Sequence, residues 1–427
     1  MTWTFPLQKA IAQAMTSIHY DIVIIGGGLA GQSLAAALSH HDFSVALIEA
    51  AALGKKDDRV TALNASSATF YDSIGVWKHL EAHAQPMHDV VVVDGPNGRP
   101  LSFEGDGTES TRASDAAHGH VVHNQVILEG LTKACKAARS LDIYTGGTAA
   151  VEAEEAGGLT LLLSGGSNAG KRIHGAVVCA ADGGRSALRR WAGIDSLTRD
   201  YGQANITATL THDNAHHGVG FQRFMPQGPV AFIPMQGQHS SLAWTVSQES
   251  APDIMALDHA AFLRLLSAQI FGQNAADPAD PRGPLTATGP RSTYPIKANI
   301  ANRFHGERLM LVGDAAHVIH PLAGQGFNLS VRDIALATEL FLDTRAVGGD
   351  LGSQRLLRAY TSRRRPDILA TFGATDMLNR AYSTTAMGWT ALRQVAMRLG
   401  RRQPRLRTVF SQQAQGSLLG LPRLMKS

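Results

Sequence analysis

The residues of this chain that can do chemistry are glycines, two acids at strand ends and one aspartate in a turn. Tyr20-Asp21-Ile22-Val23-Ile24-Ile25 runs directly into Gly26-Gly27-Gly28-Leu29-Ala30-Gly31. An apolar run ending in glycines is a strand entering a tight turn. Gly26 permits the turn, and Gly28 lets backbone N–H groups approach a pyrophosphate with no Cβ in the way. Gly31 lets the following helix, residues 32–39, pack close to the sheet. The pyrophosphate then sits on the helix N-terminus, at Leu29 and Ala30, where free N–H groups and the macrodipole favour an anion. A second apolar strand, Ser44-Val45-Ala46-Leu47-Ile48, ends at Glu49. A carboxylate there can accept hydrogen bonds from both ribose hydroxyls and repels a 2′-phosphate. Glu49 stands at the expected distance from the glycines, so the segment reads as a dinucleotide site and not as a chance glycine turn.

Two further segments follow buried strands. Leu309-Met310-Leu311-Val312-Gly313-Asp314-Ala315-Ala316-His317 places Asp314 at a strand end, where it would hold the far end of a flavin dinucleotide. Ala180-Ala181-Asp182-Gly183-Gly184-Arg185-Ser186-Ala187-Leu188-Arg189 is an Asp-Gly turn leading into a helix. Asp182 can cap that helix and, with Gly183, hold a turn beside the pyrophosphate. Arg185 and Arg189 would add positive charge near phosphates. Alone, this last segment is an ordinary capped turn.

The elements that must position these residues alternate in period. A βαβ unit occupies residues 18–50. Asp57-Asp58-Arg59-Val60-Thr61-Ala62-Leu63-Asn64 reads as a charged loop entering a helix toward Trp77, and Val90-Val91-Val92-Val93 as a strand. Residues 105–119 form a polar, glycine-rich loop, and Val121-Val122-His123-Asn124 opens a helix through Ala137. Residues 145–163 are a small β unit. Alternating runs between Asn205 and Val246 predict a second, antiparallel sheet. Residues 276–291 read as a Pro/Ala/Gly/Asp linker. Helices dominate after the second glycine segment.

Composition bounds the rest. A chain of 427 residues, 44% hydrophobic and 17% charged, makes two or three domains with a substantial core and is not disordered. Cys135 and Cys179 are too few and too isolated for a disulfide framework or a metal site, and Cys179 reads as a small buried hydrophobe. No stretch reaches bilayer-spanning length, and the segment to Ser17 lacks a signal-peptide pattern, which gives a cytoplasmic reading. Met15 is an alternative start to Met1. From residue 355 onward, 13 Arg and one Lys face only Asp367 and Asp376, so this region carries +14 − 2 = +12 of the total +4. The asymmetry suggests a basic surface offered to anionic lipid on the inner membrane face or to an acidic partner protein, with solvated helix faces as the bland alternative. No recognised nucleic-acid motif accompanies it.

Together the three motifs resemble the class A flavoprotein monooxygenases, the family of para-hydroxybenzoate hydroxylase, over residues 20–342. Within that family, His320-Pro321-Leu322-Ala323-Gly324-Gln325-Gly326-Phe327-Asn328-Leu329-Ser330-Val331-Arg332-Asp333 is similar to the signature of the ubiquinone-biosynthesis hydroxylases, which usually have glycine in place of Ser330. Asp58-Arg59-Val60-Thr61-Ala62-Leu63, Val121-Val122-His123-Asn124, Gln222-Arg223-Phe224, Tyr294-Pro295-Ile296 and Tyr360 with Arg363-Arg364 add to the likeness. Gln222 and Gln125 depart from it, standing where the branch usually has Glu and Arg.

The resemblance implies an α/β fold. Its Rossmann-like FAD-binding domain (residues 18–80, 119–200 and 290–345) is interleaved with an α+β substrate domain (81–118 and 201–289) bearing an antiparallel sheet, and a helical region (346–427) follows. It further implies FAD as cofactor, NADH or NADPH as reductant, and O2 as cosubstrate. A flavin C4a-hydroperoxide would hydroxylate the ring of a polyprenylated phenol in ubiquinone biosynthesis, in contact with an assembly of biosynthetic proteins. Besides the first motif and Glu49, the cofactor contacts it implies are Arg59, Asn124, Asp182, Gly183, Asp314, Pro321, Gly324, Gln325, Gly326 and Asn328. The chemistry needs little from side chains. His317 and His320 can be read as acid/base groups or as residues that fix the turn by hydrogen bonds. A hydroxylase of soluble aromatics, a flavin dehydrogenase or oxidase, and a non-catalytic flavoprotein subunit stay open as alternatives.

Overall fold

The computed structural model describes residues 17–95, 100–102, 117–271, 282–382 and 420–426. Its first sheet is built around the strand Ser17–Ile25. The spatial order is His305–Gly306, Leu309–Leu311, Arg172–Ala180, Ser17–Ile25, Val45–Glu49, Leu141–Thr145, and the strands from Leu309–Leu311 onward run parallel. Ile22, Val23 and Ile24 have no exposed surface, as expected for a parallel strand covered on both faces. The hairpin Thr148–Glu155 and Gly158–Ser164 joins the free edge of Arg172–Ala180. Helix Leu29–His40 packs between Asn124–Ala137 and Gly326–Ala346 on one side of this sheet.

A second sheet runs His317–Val318, Ser292–Ala301, Ser196–His212, His239–Ser247, Val230–Met235, Val219–Phe224, Asp89–Asp94, Leu101–Ser102. Its pairs are antiparallel with one departure from expectation: Val219–Phe224 lies parallel to Asp89–Asp94. Strand alternation splits Ser196–His212 into two faces. Ala204, Ile206, Ala208 and Leu210 pack with Phe232, Trp244 and Phe262 into a second core under helices Ala251–Ala256 and His259–Phe271. Gln203, Asn205, Thr207 and Thr209 face the other way, where Gln203 meets His320.

A three-stranded sheet, Val60–Asn64, Gly119–His123 and Gln85–Met87, closes the gap between the two. Residues 60–64 are therefore a strand and not part of a loop. The β-branched Val60 and Thr61 find antiparallel partners in His123 and Val122, which a local reading could not see. The expected linker likewise contains a strand, Leu285–Thr288, paired with Ser196–His212.

Helices Gly326–Ala346 and Gln354–Tyr382 follow, the latter continuous through Pro366. Residues 420–426 then return the chain to helix Ala65–Ser73, where Met425 is buried. No helix among the described residues is long and apolar enough to cross a membrane. Met15, most of the loop at 105–119, and Leu392, Val395, Met397 and Leu399 of the basic region lie outside the described residues.

Candidate functional site

The first glycine turn is fixed by backbone proximity. Gly26 has φ +105°, and a Cβ there would lie 2.3 Å from the Ala181 carbonyl oxygen. One at Gly31 would lie 1.8 Å from the Gly26 oxygen. Gly28 is different: nothing stands within 4 Å of its missing Cβ, and it precedes helix Leu29–His40 with no side-chain cap and no acid in the first turn. The leading N–H groups of that helix, at Leu29 and Ala30, therefore face an open cradle suited to an anion. Glu49 accepts hydrogen bonds from the Gly27 and Ala51 N–H groups, which leaves lone pairs on both oxygens for hydroxyl donors.

The Asp182 turn lies against Gly26. Its Oδ2 accepts from the N–H groups of Ala187 and Leu188 at 2.7 and 3.3 Å, while Oδ1 is buried with no partner among the described residues. Gly183, at φ +82°, again faces open space. Arg189 departs from expectation. It is buried and donates to the carbonyls of Ala315 and Gly184 at 2.7 and 2.8 Å, so its charge knits two turns together and is not offered to phosphate. A buried guanidinium must satisfy its donors, and backbone oxygens are what it meets. Arg185 is exposed.

The second glycine turn rests on buried charge. The Gly313 N–H donates to Asp333 at 3.0 Å, and His317 Nε2 donates to the same carboxylate at 2.6 Å. Arg364 bonds the other Asp333 oxygen at 2.6 Å and reaches Asp367 at 2.6 Å, while Arg332 bonds Asp367 at 2.7 Å. All five side chains are buried. Burial would raise the Asp333 carboxyl, but His317 and Arg364 outweigh it and hold the group below the ordinary carboxylate range. Sequence reasoning missed this network. Its signal was the placement of four charged residues, Arg332, Asp333, Arg364 and Asp367, at positions that the two helices bury. Asp314 itself projects into the cleft. Its side chain is exposed to solvent, but desolvation by the protein packed around it pushes its carboxyl up, opposed by His317 and Arg59.

His320 is fully buried. Its Nδ1 accepts from the Leu322 N–H at 3.3 Å and its Nε2 lies 3.4 Å from Gln203 Oε1, the pattern of a neutral ring. Burial lowers it to about 4, against a small opposing pull from Asp376. Both histidines are thus occupied in fixing turns.

Pro321 leads into the short turn Leu322–Gly324, and Gly324 takes φ +62° facing Ala62. Gln325 precedes helix Gly326–Ala346, which again has no side-chain cap and no acid in its first turn, and Gly326 faces open space. Asn328 is buried and fully used. Its Oδ1 accepts from Asn64 N–H and Ser67 Oγ, and its Nδ2 donates to the Ala62 and Gly324 carbonyls. Asn124 is likewise engaged, accepting from Thr61 and donating to Asp57. Asp57 in turn forks onto Arg59 at 2.8 and 2.6 Å. Asn124 and Asn328 therefore hold the loops that face the cleft. The Asp57 carboxylate raises the Arg59 guanidinium, with lesser electrostatic support from Tyr294 and Asp314. Tyr294 accepts from Asn205 Nδ2 at 2.8 Å on the inward sheet face.

Two uncapped, glycine-led helix N-termini, three glycines with nothing within 4 Å of a Cβ, an orphaned Asp182 oxygen and an exposed Asp314 are brought together where Gly26 abuts Asp182 and Gly313 abuts Ala30. That donor set fits a flavin dinucleotide, and the site and fold define an FAD-dependent oxidoreductase. Residues 19–372 match the family described as "FAD binding domain". The chain is 34% identical to ubiquinone hydroxylase UbiL of Rhodospirillum rubrum, over 95% of this chain and 92% of that protein. It is 30% identical to the human mitochondrial ubiquinone biosynthesis monooxygenase COQ6, over 89% of each. The structure of p-nitrophenol 4-monooxygenase PnpA from Pseudomonas putida superposes with a TM-score of 0.74 at 16% identity, covering 92% of this chain and 97% of that one, and shares the fold. The chain belongs to the FAD-dependent aromatic monooxygenases and, within them, to the ubiquinone-biosynthesis hydroxylase type.

Proposed function

We propose that this enzyme hydroxylates the aromatic ring of a polyprenylated phenol in ubiquinone biosynthesis, using NADH or NADPH and O2. Near-complete coverage by the Rhodospirillum rubrum relative carries this reading. The chemistry that FAD supplies when bound is transfer of electrons from the nicotinamide to dioxygen and of one oxygen atom to the ring.

The chain's own residues do the holding. Residues 18–80, 119–200 and 290–345 form the FAD domain in this reading, and 81–118 with 201–289 the substrate domain. Leu29 and Ala30 N–H groups take the pyrophosphate, Glu49 the ribose, and Asp182 a hydroxyl beside the turn. Asp314 takes the polyol chain. The N-terminus at Gly324, Gln325 and Gly326 faces the ring end, where its dipole favours negative charge. Arg59, clamped by Asp57 and Asn124, supplies a cation to the same cleft. The inward sheet face, with Asn205 and Tyr294, excludes water above it. Exposed Arg355, Arg358, Arg363 and Arg365 support contact between the helical region (346–427) and anionic lipid or a biosynthetic partner.

The test is reaction under isotopically labelled dioxygen with FAD-loaded protein and a prenylated phenol. Label in one new ring hydroxyl is expected. Reductant consumption that ends wholly in peroxide with every phenol tried overturns the monooxygenase reading, and label found only in unprenylated phenols overturns the substrate class.

A further inference from the structure

Beside the cleft, between the three-stranded sheet and the second sheet, lies a partly open cavity of about 250 Å³ lined by Val60, Val121, Val126, Met235, Thr209 and His123. Val121 and Met235 are buried and Val60 and Val126 half-buried, so the floor is apolar. His83, Gln236 and His239 are exposed and form a polar rim. None of these residues has a part in holding the cofactor.

Two strands lead from the flavin-side loop to the cavity. Ala62 is the residue facing Gly324 of the flavin-side loop. Val60 shares its strand face, two residues along, at about 7 Å. On the opposite wall, Asn205 bonds Tyr294, which feels Arg59, and Thr209 lies on the same face of the same strand, about 13 Å further. A ring placed between Gly324 and Asn205 therefore has an apolar-floored space within about 7 Å along one strand and about 13 Å along the other. The volume corresponds to roughly eight water-sized units, enough for the first one or two five-carbon units of an isoprenoid chain.

We infer that this cavity is the subsite for the ring-proximal end of the substrate's isoprenoid tail, with Val60, Val126 and Met235 as its floor and the His83–Gln236–His239 rim as its exit. The inference rests on the reading of the substrate as a prenylated phenol. A polar ligand would leave the valine floor unmatched, and a ring without a tail would leave the cavity unfilled.

The experiment fills the space from two sides, with Val126→Trp on the helix and Thr209→Phe on the strand. FAD-loaded wild type and variants are assayed with one phenol carrying an isoprenoid chain and with the same phenol lacking it. Binding of each phenol is followed separately by protein fluorescence. Both variants are expected to weaken binding and raise KM for the tailed phenol by at least about tenfold, with a several-fold smaller change for the bare ring. Equal losses for both phenols in both variants, or no loss for the tailed one, overturn the subsite. Wild type that turns over the bare ring but neither binds nor hydroxylates the tailed phenol also overturns it, and leaves a ring hydroxylase standing. Wild type that hydroxylates neither, yet binds the tailed phenol in a way the two substitutions abolish, upholds the subsite and removes the hydroxylase reading.

Discussion

The two glycine turns do the same work by opposite means. The first is held by shape. Gly26 and Gly31 sit so close to neighbouring carbonyls that no side chain fits, and the four strand residues leading into them, Ile22 to Ile25, are all apolar. The second is held by charge. Gly313 hangs by its N–H from Asp333, which is itself fixed by His317 and Arg364. A turn held by shape tolerates changes of pH and salt but not an added methyl. A turn held by buried ions tolerates small packing changes but not the loss of one partner, because the remaining charges stay buried.

The largest effect should come from breaking the shape-held turn. Gly31→Ala places a methyl 1.8 Å from a backbone oxygen that cannot retreat without moving the turn. We expect more than about 4 kcal/mol of destabilisation, or no folded protein, and no retained FAD, read by urea denaturation and flavin absorbance. Near-normal FAD content would show that the turn is softer than its packing implies.

Asp333→Asn should cost about 3–5 kcal/mol, since it leaves the buried Arg332 and Arg364 sharing the one carboxylate of Asp367 and removes the anionic partner of His317. It also sharpens the comparison: FAD affinity should fall while ADP, which reaches only the first turn, still binds. Equal loss of both in calorimetric titrations would mean that the turns are not separately supported.

Third is pH. His320 in the folded state titrates near 4 against an ordinary 6.5, so the unfolded chain takes up a proton first as pH falls. Its contribution is fully present above pH 6.5, declines between 6.5 and 4, and is lost below. The loss should amount to about 3 kcal/mol across that window. His320→Gln should flatten that part of the stability curve relative to wild type, and an unchanged difference between pH 7 and pH 5 would contradict the assignment.

The smallest effect is expected at Ser330, whose Oγ donates to the Gly326 carbonyl at 3.4 Å. Ser330→Gly restores the residue usual in the resembled signature, and should cost about 0.5–1 kcal/mol for glycine in a helix interior, with FAD affinity unchanged.

These differences also explain what the sequence could disclose. The first turn is local: strand, glycines, helix and Glu49 fall within one βαβ unit, and each residue's reason lies within thirty positions. The two-sheet α/β architecture was likewise readable from period and motif order. The strand at residues 60–64 was not, because its partner Gly119–His123 is remote in the chain. Arg189 was misjudged for the same reason, since the Ala315 carbonyl that claims it comes from another domain segment. The support of Gly313 draws on Asp333 and Arg364, which the signature displays as charges without saying whom they meet. Asn124 and Asn328 were visible as motif residues, but only coordinates show that their amides are saturated by the loops they brace.

Helix Gln354–Tyr382 touches both halves of the molecule. Near its start Arg364 reaches under the second glycine turn, and near its end Asp376 receives Arg199 while Asn379 donates to Gln203 on the second sheet. It acts as a strut fastened at both ends across the cleft. The halves cannot swing apart about a simple hinge without either bending that strut or unfastening its far end, where the Arg199 and Gln203 contacts are less buried in charge than the Asp333 cluster. The fastening at Asp376 and Asn379 is therefore the weaker of the two joints.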